Sequence, residues 1–177
     1  MKLTGRVWKY GDAINTDVIF PGKYVYSLVD PNQWAKHALE DLDASFAGNV
    51  KPGDIIVAGK NWGCGSSREQ AVSALKYAGV KIIIAKSFAR IYFRNCVNQG
   101  MLPVVSAPAV DAIQAGETIE VDLAANTIRC ARGAFTFPPL SPSILAIIEA
   151  DGLIPMLRKK LGVEHLPMPE IKGGERL

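Results

Sequence analysis

Hydrophobic and polar positions alternate from the first residues: Lys2-Leu3-Thr4-Gly5-Arg6-Val7-Trp8 has the two-residue period of a strand with one buried face. Residues 10–29 mix turn formers (Gly11, Asp12, Asn15, Pro21, Gly22) with apolar residues and match neither regular period, which predicts an ordered functional loop. Asp30-Pro31 supplies an N-cap and a proline for the first helical position, opening a short helix through Trp34, Ala35, Ala38 and Leu39. Asp54-Ile55-Ile56-Val57-Ala58, between Pro52-Gly53 and Gly59, is a short apolar run that fits a buried strand. A glycine-rich turn over Gly59–Gly65 follows. Ser66 and Glu69 have the spacing of a capping box, and the helix they would open ends at Gly79. Val80–Ala85 is a second apolar strand. Ser87 is a candidate cap for a helix carrying Phe88, Ile91 and Tyr92 as a buried stripe and reaching Gly100, and Leu102–Val105 is a third strand.

Strand, helix, strand, helix, strand in that order predicts parallel pairing. Beyond Pro108 the pattern changes. Glu117–Leu123 and Thr127–Arg129 flank Ala-Ala-Asn and predict an antiparallel hairpin, while Ser141–Ala150 and Leu153–Leu161 are helical. Pro167, Pro169 and Gly173-Gly174 mark 166–177 as a loose tail, leaving residues 1–165 as a single domain.

Composition narrows the function classes. At 177 residues and 49% hydrophobic, the chain can bury one good core. Its 20 basic residues against 17 acidic ones leave a net charge of only +3, and they are scattered, so charge gives no case for nucleic acid. No apolar stretch approaches the roughly 20 residues of a membrane helix. The N-terminus has no apolar core followed by a cleavage site, so no membrane association is expected and cytoplasmic residence is the default expectation. Cys64, Cys96 and Cys130 are far apart and never form C-x-x-C, which argues against a disulfide framework or a metal or cluster site held by this chain alone.

The informative stretch is Gly59-Lys60-Asn61-Trp62-Gly63-Cys64-Gly65-Ser66-Ser67-Arg68-Glu69, placed at a strand's carboxyl end where a helix begins. Ligands favour that location in open α/β folds. A helix N-terminus offers free N–H groups, glycines such as Gly65 let backbone approach a ligand, and Arg68 adds a fork matched to a carboxylate. Read from the residues alone, this is either an anion site or a capped turn with a solvated arginine. The third glycine of the dinucleotide fingerprint and the Gly-Lys-Ser/Thr ending of a P-loop are both missing. Arg90 and Arg94 suit a partner, a carboxylate or a surface ion pair, while His37 and His165 read as isolated, solvated residues.

Three blocks carry a resemblance. They are Gly11-Asp12-Ala13-Ile14-Asn15-Thr16-Asp17-Val18-Ile19, Asn61–Glu69, and Lys86-Ser87-Phe88-Ala89-Arg90-Ile91-Tyr92-Phe93-Arg94-Asn95 with Gly100-Met101-Leu102-Pro103. In order and spacing they resemble the aconitase swivel-domain family, and within it the free-standing small subunits of isopropylmalate dehydratase and homoaconitase. The resemblance implies an α/β fold, a compact swivel domain layered β/β/α around a mostly parallel central sheet. It also implies a hydro-lyase of leucine biosynthesis, active only with a large subunit (as a heterodimer or heterotetramer) that carries a [4Fe-4S] cluster through three cysteines, with none bound here. Carried onto this sequence, it gives Ser66 as the base that removes a carbon-bound proton, Ser67 and Arg68 as substrate ligands beside Gly65, and Asp17 as the loop acid at the site. The alternative for Asp17 is a turn-forming Asx residue. Cys64 is expected to be a small residue in a tight turn, because cluster ligands belong to the large subunit.

In the family the loop after Asn-Thr-Asp helps to set the substrate. Here Val25, Tyr26, Leu28 and Val29 include no arginine. Burying a further carboxylate there is costly, whereas an alkyl group gains roughly 0.8 kcal/mol per buried CH2. An alkylmalate is therefore expected. Gln70, where the family commonly has histidine, and a loop about one residue longer than usual leave methylmalate, 2,3-dimethylmalate and homoaconitase-type substrates as alternatives. A non-catalytic anion-binding module is the alternative of a different class.

Overall fold

The first strand, β1 (Lys2–Lys9), serves two sheets with its two halves. In the computed structural model, which describes residues 2–28 and 30–167, Lys2–Arg6 pair antiparallel with β5 (Thr118–Asp122), and Val7–Lys9 pair parallel with β2 (Ile55–Ala58). On the β2 side the sheet continues in parallel through β3 (Ile82–Ala85) to β4 (Leu102–Val105). On the β5 side it continues antiparallel through β6 (Thr127–Cys130) to β7 (Gly133–Thr136), giving the order β4-β3-β2-β1-β5-β6-β7.

The period-2 rule explains the layering, because alternate residues of the parallel strands enter different cores. Ile56, Ala58, Ile83 and Ala85 face the helical layer of α2 (Pro31–Ala35), α3 (Phe46–Asn49), α4 (Glu69–Tyr77) and α5 (Arg90–Asn98). Ile55, Val57, Ile82, Ile84 and Val104 face the other way and pack with Ile119, Val121 and Ile128 of the antiparallel half. That half therefore folds over the parallel layer, and the order α, parallel β, antiparallel β is the expected three-layer arrangement. Its core is completed by α6 (Ala107–Ala112) and by α7 (Pro142–Glu149), with α8 (Leu153–Lys160) following.

Several expectations need correction. Ser66 caps nothing: α4 starts at Glu69 with Arg68 at the N-cap and no side-chain cap, and the Glu69 carboxylate bonds the Gln99 amide instead. Ser87 likewise does not cap α5, whose N-cap is Ala89; its hydroxyl oxygen accepts from Asn61 N–H at 2.8 Å. The buried stripe of α5 is Tyr92, Cys96 and Val97, and Ile91 is 54% exposed. The loop 10–29 contains a helical turn, α1 (Thr16–Ile19), and a 3-10 turn over Gly22–Tyr24. His37 is not isolated, since its ring stacks on Tyr24 at 3.8 Å and Nδ1 lies 2.6 Å from Glu40. Val29 and all but the first two residues of the expected tail lie outside the described residues.

Candidate active site

At the carboxyl end of β2 the chain enters a turn that only unusual backbone can make. Asn61, Gly63 and Gly65 all have positive φ, at 55°, 75° and 89°. At Gly63 a side chain is excluded twice over, since its Cβ would enter the Tyr92 ring. Trp62 anchors the turn from below. It is fully buried, stacked on Tyr10 at 6.2 Å and edge-on to Tyr92 at 6.4 Å. Burial pushes the Tyr92 hydroxyl well above its ordinary value, so this phenol stays protonated, and it donates to the Ala71 carbonyl at 3.3 Å.

Backbone hydrogen bonds bring the three sequence blocks together here. From one side, Gly63 N–H donates to Ile14 O at 2.8 Å and Thr16 N–H to Cys64 O at 2.9 Å. Thr16 adds its hydroxyl, which donates to the Ser66 carbonyl at 2.7 Å while the residue is only 1% exposed. From the other side, Trp62 N–H donates to Ser87 O at 3.0 Å and Ala89 N–H to Trp62 O at 2.9 Å. Cys64 packs within this clamp, with its thiol 3.4 Å from Ala13 O, in keeping with a small residue in a tight turn.

The clamp leaves Ser66 and Ser67 exposed, and their hydroxyls have no hydrogen-bond partner among the described residues. They line a cavity of about 370 Å³ with Thr16, Gly65, Arg68, Arg90, Ile91 and Asn95. Arg68 is held from one side: Nη2 pairs with Asp17 Oδ1 at 2.5 Å, the arginine side chain being 23% exposed and the aspartate 52%. Asn15 caps α1 by accepting from Asp17 N–H and Val18 N–H, which fixes where Asp17 stands. The other terminal nitrogen, Nη1, is buried without a partner among the described residues. It lies against Gly22, where an added Cβ would stand 2.8 Å away. The Arg68 guanidinium beside a helix N-terminus that no side chain caps concentrates positive charge at this end of α4, an electrostatic setting that suits an anion.

Of the residues singled out from sequence, Ser66, Ser67, Arg68 and Gly65 line one cavity, and Asp17 joins them through Arg68. Val25, Tyr26 and Leu28 do not line it. Val25 packs on the helical core, Tyr26 is 97% exposed, and the Leu28 carbonyl accepts from Trp34 Nε1–H at 2.9 Å. Thr16, Ile91 and Asn95 were not singled out. Nothing in the sequence around Thr16 signals that its hydroxyl reaches residue 66. Ile91 was hidden by its fit to a buried helical stripe. A larger, more apolar cavity lies across α5 and shares only Arg90 with this one; it contains neither serine nor Asp17. Among the described residues no three of His, Cys, Asp or Glu stand together as a metal site, and no helix is long and apolar enough to cross a membrane. The cavity offers hydroxyls and two guanidinium groups, and no thiolate, imidazole or carboxylate to ligate a cluster.

Residues 21–109 match the family model described as the aconitase C-terminal domain. The chain is 44% identical over 169 residues to the 3-isopropylmalate dehydratase small subunit of Thermodesulfovibrio yellowstonii, covering 94% of this chain and 99% of that protein. Against the 3-isopropylmalate dehydratase small subunit of Aquifex aeolicus the identity is 50% over 168 residues, covering 91% and 97%. A crystal structure of 3-isopropylmalate dehydratase from Methanocaldococcus jannaschii has a similar fold, with a TM-score of 0.87 at 41% identity over 93% of this chain and 98% of that one.

Proposed function

This chain belongs to the 3-isopropylmalate dehydratase small-subunit family, with its aconitase-type C-terminal domain, and from that premise we propose that it interconverts 2-isopropylmalate and 3-isopropylmalate with a large subunit, in the cytoplasm. The reaction eliminates water, leaving a carbon–carbon double bond between the two carboxylate-bearing halves, and adds it back with the opposite regiochemistry. A [4Fe-4S] cluster on the large subunit would supply the Lewis acidity that activates the hydroxyl group. This chain's task is the proton and the carboxylate.

Arg68, braced by Asp17, grips one substrate carboxylate, and Ser67 donates to the substrate beside it. Ser66 takes the carbon-bound proton as its alkoxide. A serine hydroxyl is a poor base in water, so the alkoxide needs the uncapped N-terminus of α4 and the Arg68 charge close by in a site closed to solvent. The same serine returns the proton on rehydration. Val25, Tyr26 and Leu28 lie outside the cavity of this chain alone, and in this reading they receive the alkyl group once the large subunit closes the site.

The observation that carries the proposal is the pair of unpartnered serine hydroxyls that share one cavity with Arg68, which Asp17 braces. It is tested by reconstituting the chain anaerobically with its large subunit and measuring turnover of 2-isopropylmalate, 2-methylmalate, 2,3-dimethylmalate and citrate. Preference for 2-isopropylmalate is expected. Preference for one of the smaller alkylmalates would correct the substrate but keep the chemistry, preference for citrate would overturn the loop argument, and no turnover at all would leave an anion-binding module.

A further inference from the structure

Helix α5 lines two cavities with different sides. Ile91, Tyr92 and Asn95 line the serine cavity, while Arg90, Phe93, Arg94 and Val97 fall at i, i+3, i+4 and i+7 and form a separate stripe about half a turn away. That second stripe is the floor of a cavity of about 780 Å³. Val97 lies deepest at 6% exposure, Phe88 and Phe93 meet edge to face at 5.8 Å, and Ile144 of α7 forms the far wall. Arg90 and Arg94 stand one helical turn apart, both exposed, with no hydrogen-bond or ion-pair partner among the described residues. No acidic side chain lines the groove.

An apolar floor rimmed by unpaired arginines has the composition of a protein interface core, in which arginine and aromatic residues are enriched. We propose that this groove seats the large subunit, which inserts an aromatic or aliphatic side chain against Phe93, Val97 and Ile144 and presents carboxylates to Arg90 and Arg94. The proposal rests on the small-subunit reading above. Two observations choose this occupant. Arg90 belongs to both cavities, so a body that closes the serine cavity passes over Arg90 and continues into the groove. A second copy of this chain is disfavoured, because a two-fold contact centred here would set arginines against arginines with no acid to answer them.

The test is the affinity between the purified subunits, measured by titration calorimetry for the wild type, Arg94→Glu and, as a control on α8, Lys159→Glu. Arg94 is exposed, so its variant is expected to melt like the wild type. Arg94→Glu is expected to weaken association at least tenfold, Lys159→Glu to leave it within about twofold, and added salt to weaken the wild-type complex. Wild-type affinity in Arg94→Glu overturns the proposal while leaving the small-subunit reading intact. So does an effect of Arg94→Glu confined to self-association, which would assign the groove to a second copy. A folded wild-type chain with no affinity for the large subunit overturns the small-subunit reading itself.

Discussion

At the scale of single residues, the candidate base is positioned by a residue that is almost fully buried. Thr16 donates its hydroxyl to the Ser66 carbonyl at 2.7 Å and its own N–H to Cys64 O, so it holds the turn on both sides of Gly65. Thr16→Val keeps the shape and removes the donor, leaving a carbonyl unsatisfied at a cost of about 1–3 kcal/mol. In the assembled enzyme kcat is expected to fall about tenfold to hundredfold, since small displacements of a reacting group have effects of that order, while KM changes little. Thr16→Ser, which keeps the hydroxyl, is expected to stay near wild type. Equal losses in both variants would mean that Thr16 matters only for packing.

At the scale of elements, the 3-10 turn Gly22–Tyr24 covers Arg68 Nη1 and is itself clamped from α2 onward. Lys23 Nζ reaches Glu40 at 2.8 Å, His37 Nδ1 reaches the same carboxylate at 2.6 Å, and Tyr24 stacks on the His37 ring. Partial burial pushes the Glu40 carboxyl up, but hydrogen bonds from Lys23, His37 and Tyr24 outweigh it and hold the group below its ordinary value of 4.5. A depressed carboxyl stabilises the fold above its ordinary value, and that contribution is lost as pH falls through the folded one. Amide-exchange protection over residues 22–28, corrected for intrinsic rates, is therefore expected to drop below about pH 4.5, and to drop at neutral pH in Glu40→Gln. Unchanged protection in that variant would show that the clamp does not hold the turn. The sequence disclosed the strands and the two long helices next to the site because their apolar periods are unbroken. It misplaced the start of α4 because Ser66 and Glu69 have capping-box spacing, and only tertiary bonds from Thr16 and Gln99 decide otherwise. Strand β7 (Gly133–Thr136) went unseen because it is only four residues long, opens on the poor strand formers Gly133 and Ala134, and lies at the sheet edge.

At the scale of the whole molecule, β1 is the organising element, since its two halves join a parallel layer that carries the site to an antiparallel layer that backs it. The parallel layer was legible as strand–helix alternation. The folding of the second layer over the first was legible only through family resemblance, because no local pattern encodes which face a distant hairpin covers. The site was legible in the same uneven way: Ser66, Ser67 and Arg68 share one short segment, whereas Thr16, Asp17, Arg90, Ile91 and Asn95 reach it from elsewhere in the chain. In the proposed reading the fold presents part of a site, with Ser66 as base, Arg68 as carboxylate clamp and an open cavity on one chain. The most direct test of that division of labour is steady-state kinetics of Ser66→Ala assembled with the large subunit, beside the wild type. Ser66 as the proton-removing base predicts a fall in kcat on the order of a thousandfold, with KM and subunit affinity within a few-fold. Wild-type kcat in Ser66→Ala would contradict it.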